Sequence, residues 1–112
     1  ISCLLQINIS NENNKYGFTK DQTREIFNNK ILKDFKFIRI KGLMGMASFT
    51  ENKNQIRIEF KNLKKIFDEL KIKNPELNII SMGMSGDYKI AIEEGSNMIR
   101  IGSKIFGKRN YQ

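Results

Sequence analysis

The chain has 112 residues, 39% hydrophobic and 29% charged, with a formal charge of +8: enough for one small domain with a modest core and the composition expected of a soluble protein. Its apolar runs stay well short of the roughly 18 residues of a membrane span, which excludes a transmembrane helix. A single cysteine, Cys3, and no histidine exclude an internal disulfide and leave a zinc site or a histidine-based triad hard to build.

The lysines behind the charge are scattered, with Lys64-Lys65 the only adjacent pair. Together with abundant Asn and Ile they read as the codon bias of an A+T-rich genome and a solvated surface. A nucleic-acid patch would cluster basic residues with arginines and aromatics, so no nucleic-acid partner is expected. The first nine residues lack a basic n-region and a cleavage site, so no signal peptide is expected, and the cytoplasm is the default compartment. The sequence begins with Ile1 rather than Met, as a processed chain or a fragment does.

In chain order, Cys3 to Ile9 is a short apolar run ending in a polar cluster, the pattern of a buried strand and its loop. Thr19 is placed to cap a helix through about Lys30, with Asp21 in its first turn and Ile26, Phe27, Ile31 and Leu32 as a partial apolar stripe. Phe35 to Leu43 alternates apolar and basic residues until Gly42, which is strand periodicity. The clearest helix follows, about Asn54 to Lys71. There Ile56, Phe60, Leu63, Phe67 and Leu70 fall on one stripe, and Arg57, Lys61, Lys65 and Glu69 occupy the remaining surface. Asn74-Pro75 breaks the chain. Leu77 to Met82 reads as a third strand and about Gly86 to Glu94 as a short helix stopped by Gly95. Met98 to Ile101 is a fourth strand, and the tail from Lys104 forms at most one more turn.

The order β-α-β-α-β-α-β is an α/β pattern and predicts a parallel sheet in one domain, 1–112. Pattern alone leaves open whether the sheet is a small doubly wound one or half of a closed barrel. In either fold, ligands bind at the C-terminal ends of the strands. Two of those loops carry the chemistry. GMSGD puts Ser85 at the start of a helix, where unpaired amides and the helix dipole favour an anion, with Gly83 and Gly86 allowing close approach. RIGSKIFG repeats the theme at Gly102 and Ser103. Either loop alone is more often an ordinary turn and N-cap; two in succession, with Arg100 inside the last strand and in need of a partner, shift the balance towards a ligand. Met44, Met46, Met82 and Met84 read as core filling near the mouth, Asp87 as a first-turn stabiliser and Glu93-Glu94 as a solvated helix face. Lys15, Lys41, Lys89 and Lys104 are the lysines nearest the mouth, and none is marked as activated.

The segments LLQINISNENNKYGF, IRIKGLMGMASF, SMGMSGDYKIAIEEGS and RIGSKIFGKRNY, in this order and over nearly the whole chain, resemble the pyridoxal phosphate homeostasis family, whose barrel is similar to the N-terminal domain of alanine racemase. The resemblance implies the second half of a (β/α)8 TIM-type barrel that binds pyridoxal 5'-phosphate. It implies that Ser85 contacts the cofactor phosphate, that Gly102 and Ser103 offer amides and a hydroxyl to it, that Met84 lies beside it, and that Arg100 lies against the pyridine nitrogen, where a cation weakens the ring as an electron sink. The family's Schiff-base lysine lies on an early strand, and no segment here matches its motif. The implied role is cofactor buffering or delivery, to apo-enzymes among others, and not catalysis. A racemase-like enzyme fragment is the alternative, and it requires a further domain and a second acid/base residue. Half a barrel leaves sheet edges open, so the segment is expected to need its missing half or a second copy.

Overall fold

The computed structural model describes residues 2–10, 17–28 and 39–100, with Arg100 described by its backbone alone. Expectations placed on Lys15, Lys30 to Ile38, Gly102, Ser103 and the tail lie outside these residues. Within them the elements are β1 (Ser2–Gln6), α1 (Lys20–Asn28), β2 (Arg39–Gly45), α2 (Lys53–Lys73), β3 (Ile79–Met84), α3 (Tyr88–Glu93) and β4 (Met98–Arg100). All strand pairs are parallel and the spatial order is β1-β2-β3-β4.

A doubly wound sheet reverses its strand order at a switch point, and this one does not. Helix α2 touches both α1 and α3 and packs on β2 and β3, so the helices form one layer on one face of the sheet. Sequential order with a single helical layer is how a (β/α) barrel is wound, which settles the choice that periodicity left open.

The core lies between that layer and the sheet. Ile56, Phe60, Leu63, Phe67 and Leu70 are all buried, joined by Ile66, against Leu43, Ile80 and Met82. The predicted apolar stripe of α2 is therefore the stripe that packs. Alternation along the strands sends the next residues to the opposite face. There the register aligns Gln6 with Met44, Met44 with Ser81 and Ser81 with Met98 in one row across the sheet. Of the four methionines read as core filling, Met82 fills the core, Met44 and Met46 are half-buried, and Met84 is 42% exposed at the strand end.

Helix ends follow their capping chemistry. Thr19 and Gln22 exchange bonds, Gln22 N–H donating to Thr19 Oγ1 at 3.1 Å and Thr19 N–H to Gln22 Oε1 at 3.0 Å, a capping box that starts α1. Asn52 caps α2 by accepting from Gln55 N–H at 3.2 Å. Gly95 follows α3 with a φ of 108°, the left-handed residue expected after a helix end.

Two strand boundaries differ from expectation. β2 runs on through Gly42 to Gly45, and β3 begins at Ile79 and ends at Met84. The expected strand runs only one residue past Gly42, a residue type disfavoured in strands. In the sheet it is the residue that lets β2 and β3 close, since a Cβ there would stand 1.9 Å from Ile79 O.

Helices α1 and α2 are joined at the surface by Arg24, whose Nε and Nη2 donate to Glu69 at 2.7 and 3.0 Å. The Arg24 hydrogen bond holds the Glu69 carboxyl below its ordinary value of 4.5. A lowered carboxyl contributes stability above its unfolded value and loses it as pH falls through the folded one. Both groups are solvated, so the contribution is small. The melting-temperature gap between wild type and Glu69→Gln should accordingly stay constant near neutrality and close below about pH 4. A gap that persists in acid would show that the ion pair is not its source.

Candidate functional site

At the end of β3 the chain turns through Gly83, whose φ is 108°, into Met84-Ser85-Gly86-Asp87. Met84 N–H donates to Asp87 Oδ1 at 2.7 Å, and Asp87 N–H returns a bond to Met84 O at 3.1 Å. These two bonds close the turn. Asp87 is thus the clamp of the turn and its side chain makes no cap bond to α3, unlike the first-turn stabiliser that the sequence suggests. With the carboxylate used in this way, α3 starts at Tyr88 and is six residues long. Ser85 consequently sits on the turn, two residues before the N-cap, and not at the helix N-terminus expected for it.

The turn still presents donors. Ser85 is half-buried, and among the described residues no acceptor takes the amides of Ser85 or Gly86. A Cβ on Gly86 would meet nothing within 4 Å. The register pairs Met84 with Arg100, so two of the predicted site residues stand side by side at the ends of adjacent strands with Ser85 next in the chain. Gly102 and Ser103 continue from β4 beyond the described residues. Lys41 is half-buried within β2, and Lys89 is exposed on α3.

Two further groups of residues hold β4 and α3 in place. Ser96 Oγ lies 2.7 Å from Met82 O and 2.8 Å from Met98 O. Next to it, Asn97 Oδ1 accepts from Ile80 N–H at 2.9 Å while Nδ2 donates to Asn78 O at 2.8 Å. Together they stitch β4 to β3. On the helix side, Arg57 of α2 donates to Glu94 at 2.5 Å and to Glu93 at 3.0 Å. The Glu94 hydrogen bond, then that to Glu93, raises the Arg57 guanidinium above its ordinary value. Glu93 and Glu94 therefore brace α3 against α2; Glu93 stays exposed, as its reading as a solvated face has it, whereas Glu94 is largely covered. Arg57, Ser85, Gly86, Lys53 and Lys89 line a surface cavity of ≈ 390 Å³ beside the turn.

On the β2 side of the sheet, Glu59 is buried against Ser48 in the loop after β2. It accepts from Ser48 N–H at 2.7 Å, Ser48 Oγ at 2.8 Å and Gln55 Nε2 at 3.0 Å, and the Ser48 and Ser10 hydroxyls are 3.1 Å apart. The signal in the sequence is register: Glu59 falls three residues after Ile56 and four before Leu63, on the buried stripe. Among the described residues no three His, Cys, Asp or Glu side chains gather as metal ligands, and no helix is long and apolar enough to cross a membrane.

A sequence model described as the N-terminal domain of alanine racemase matches residues 1–110. The chain belongs to that family. Among curated members, it is 35% identical over 109 residues to the pyridoxal phosphate homeostasis protein of Aquifex aeolicus, an alignment covering 96% of this chain and 47% of the relative. To the protein of the same name from Escherichia coli it is 36% identical over 112 residues, covering 99% and 47%. Among solved structures, PipY of Synechococcus elongatus PCC7942 without PLP superposes with a TM-score of 0.84 at 29% identity, over 95% of this chain and 49% of PipY. PipY with PLP bound gives 0.77 at 27%, with the same coverage. The chain spans about half the length of the curated relatives it matches. Its four parallel strands, in sequential order under one helical layer, are thus half of an alanine racemase-like (β/α)8 barrel. Within that family's barrel, the turn after β3 lies on the face where strands end and ligands bind.

Proposed function

We propose that this chain is the phosphate-holding, C-terminal half of a cytoplasmic protein that binds pyridoxal 5'-phosphate and buffers or delivers it. The observation that carries the reading is the turn after β3: the Ser85 hydroxyl, two amides without an acceptor among the described residues, and open space over Gly86, at a strand's C-terminal end. That donor set suits a phosphate group, whose oxygens accept from hydroxyls and from backbone amides. Asp87, the contrary charge nearby, is engaged by the Met84 amide.

In this reading Ser85 and the amides beside it bind the phosphate, with Gly102 and Ser103 of the next loop adding donors and Met84 packing beside it. Arg100, its backbone in register with Met84, is the residue that the family resemblance assigns to the ring nitrogen. Ser96 and Asn97, just before β4, fix that strand against β3, and Arg57 keeps α3 seated behind the turn. When bound, the cofactor supplies an aldehyde able to join an amine and a conjugated ring. The chain's own residues bind and orient it, and no catalytic reaction is assigned to them. Supporting the reading are the names of the relatives and PipY with PLP bound.

The test uses the protein as its gene encodes it. Borohydride reduction in its own cells followed by intact-mass measurement should reveal a pyridoxyl adduct. Ser85→Ala should raise the dissociation constant for pyridoxal 5'-phosphate about tenfold, the cost of one hydrogen bond to a charged group, and leave that for pyridoxal unchanged. Equal losses for both ligands would remove Ser85 from the phosphate site. No adduct and no saturable binding would end the cofactor reading.

A further inference from the structure

Glu59 is 3% exposed, on the buried stripe of α2 between Ile56 and Leu63. A carboxylate there is costly unless its oxygens are fully hydrogen-bonded, and an aliphatic side chain would pack the same position without that cost. Its described partners are neutral: Ser48 N–H, Ser48 Oγ and Gln55 Nε2. An ionised carboxylate only accepts, so the single Ser48 hydroxyl proton goes to Glu59. The contact between the Ser10 and Ser48 hydroxyls is then supplied by the Ser10 proton. One carboxylate thereby ties helix α2 to the loop after β2 and, through Ser48, to the loop after β1.

Of these loops, the one after β2 adjoins the phosphate turn and the one after β1 stands one strand further away, since the order is β1-β2-β3-β4. If the phosphate sits after β3 and β4, the portion of the ligand left to meet this rim is the ring. We propose that Glu59 is a positioning residue that holds Ser10, after β1, and the loop 46–50, after β2, as a preformed rim on the ring side of the cofactor site. The inference rests on the cofactor reading above. Glu59 itself touches no ligand; it acts by fixing Ser48 and the neighbouring Met46, Ala47 and Phe49.

The test compares wild type with Glu59→Gln, and with Ser48→Ala as a milder second variant, in the protein as its gene encodes it. Amide exchange is followed along 46–50 and along α2. Dissociation constants are measured for pyridoxal 5'-phosphate, pyridoxal and inorganic phosphate. Exchange across 46–50 should rise about tenfold in Glu59→Gln while the amides of Phe60 and Leu63 keep their protection. Pyridoxal and pyridoxal 5'-phosphate should weaken together while inorganic phosphate binds as before. Ser48→Ala should reproduce the pattern at smaller amplitude, and decides the matter if Glu59→Gln does not fold. Unchanged exchange, a uniform rise that includes α2, or a parallel loss of phosphate affinity would overturn the proposal and leave Glu59 a residue of the fold alone. Wild-type protein that binds neither pyridoxal 5'-phosphate nor phosphate would end the cofactor reading and the rim's role with it, whatever exchange shows.

Discussion

Replacing Gly42 by alanine is expected to lower the melting temperature by roughly 15 °C or to prevent folding. Gly42 pairs with Leu4 on one side and Ile79 on the other, so it lies within the sheet with a neighbour on each flank. A methyl group there would stand 1.9 Å from Ile79 O, 2.6 Å from Ile79 C and 2.7 Å from Ile79 Cβ. Two of the three atoms are backbone, and no rotamer change relieves them. The strands must separate by more than an ångström, which breaks ladder bonds that have no water to replace them. Overpacking of this kind costs about 3 kcal/mol or more, against a total stability on the order of 5–15 kcal/mol for a domain of this size. Gly86→Ala is the matched control. It adds the same methyl where nothing lies within 4 Å, and its melting temperature should stay within about 3 °C of wild type. Equal melting temperatures for the two variants would mean that β2 and β3 are not packed as closely as described.

Gly42 also shows where sequence reading stops. The order of elements, the apolar stripe of α2, the Thr19 cap and the Gly95 helix stop were all legible, because each rests on chemistry within one or two turns of chain. The end of β2 was not. Gly42 interrupts an alternating run, and glycine is disfavoured in strands. Its need arises from the backbone of Ile79, 37 residues away, and no local pattern carries that contact. Barrel winding was likewise silent in the periodicity, since β-α alternation is the same for both parallel architectures. The phrases around Ser85 and Arg100 pointed to the barrel by resemblance, and the sequential strand order settled it.

At the candidate site the same division holds. Residue types marked the turn after β3, but not its form: Ser85 was expected at a helix N-terminus, and Asp87 instead spends its carboxylate on the Met84 amide and delays the helix. Glu93 and Glu94 looked like solvent-facing charges because their partner, Arg57, lies 36 and 37 residues earlier on another helix. Glu59 was detectable, had its position on the buried stripe been weighed above its charge. Ser96 and Asn97 had no signal beyond their place before a strand. What sequence supplies is the inventory of donors at the strand ends. What it withholds is which donors are already taken by neighbours.

Gly83→Ala should separate the two things that the turn after β3 does. Its φ of 108° costs an alanine about 1–2 kcal/mol, and the new Cβ would lie 2.7 Å from Ala91 Cβ, 3.1 Å from Ile99 Cγ2 and 3.2 Å from Tyr88 Cα. Helix α3 must move off the sheet to make room, and the turn that carries Met84 and Ser85 moves with it. The expected result is a melting temperature lower by roughly 10 °C together with at least a tenfold loss of affinity for pyridoxal 5'-phosphate, whereas Ser85→Ala loses affinity at an unchanged melting temperature. Ala91→Gly provides the internal check. Combined with Gly83→Ala it removes the nearest clash but not the backbone strain, so the double variant should be more stable than the sum of the two single losses. Strict additivity would place the whole cost in the backbone of Gly83. A Gly83→Ala protein with native affinity would show that the position of this turn does not govern ligand binding, and the phosphate would then have to be held elsewhere on the mouth.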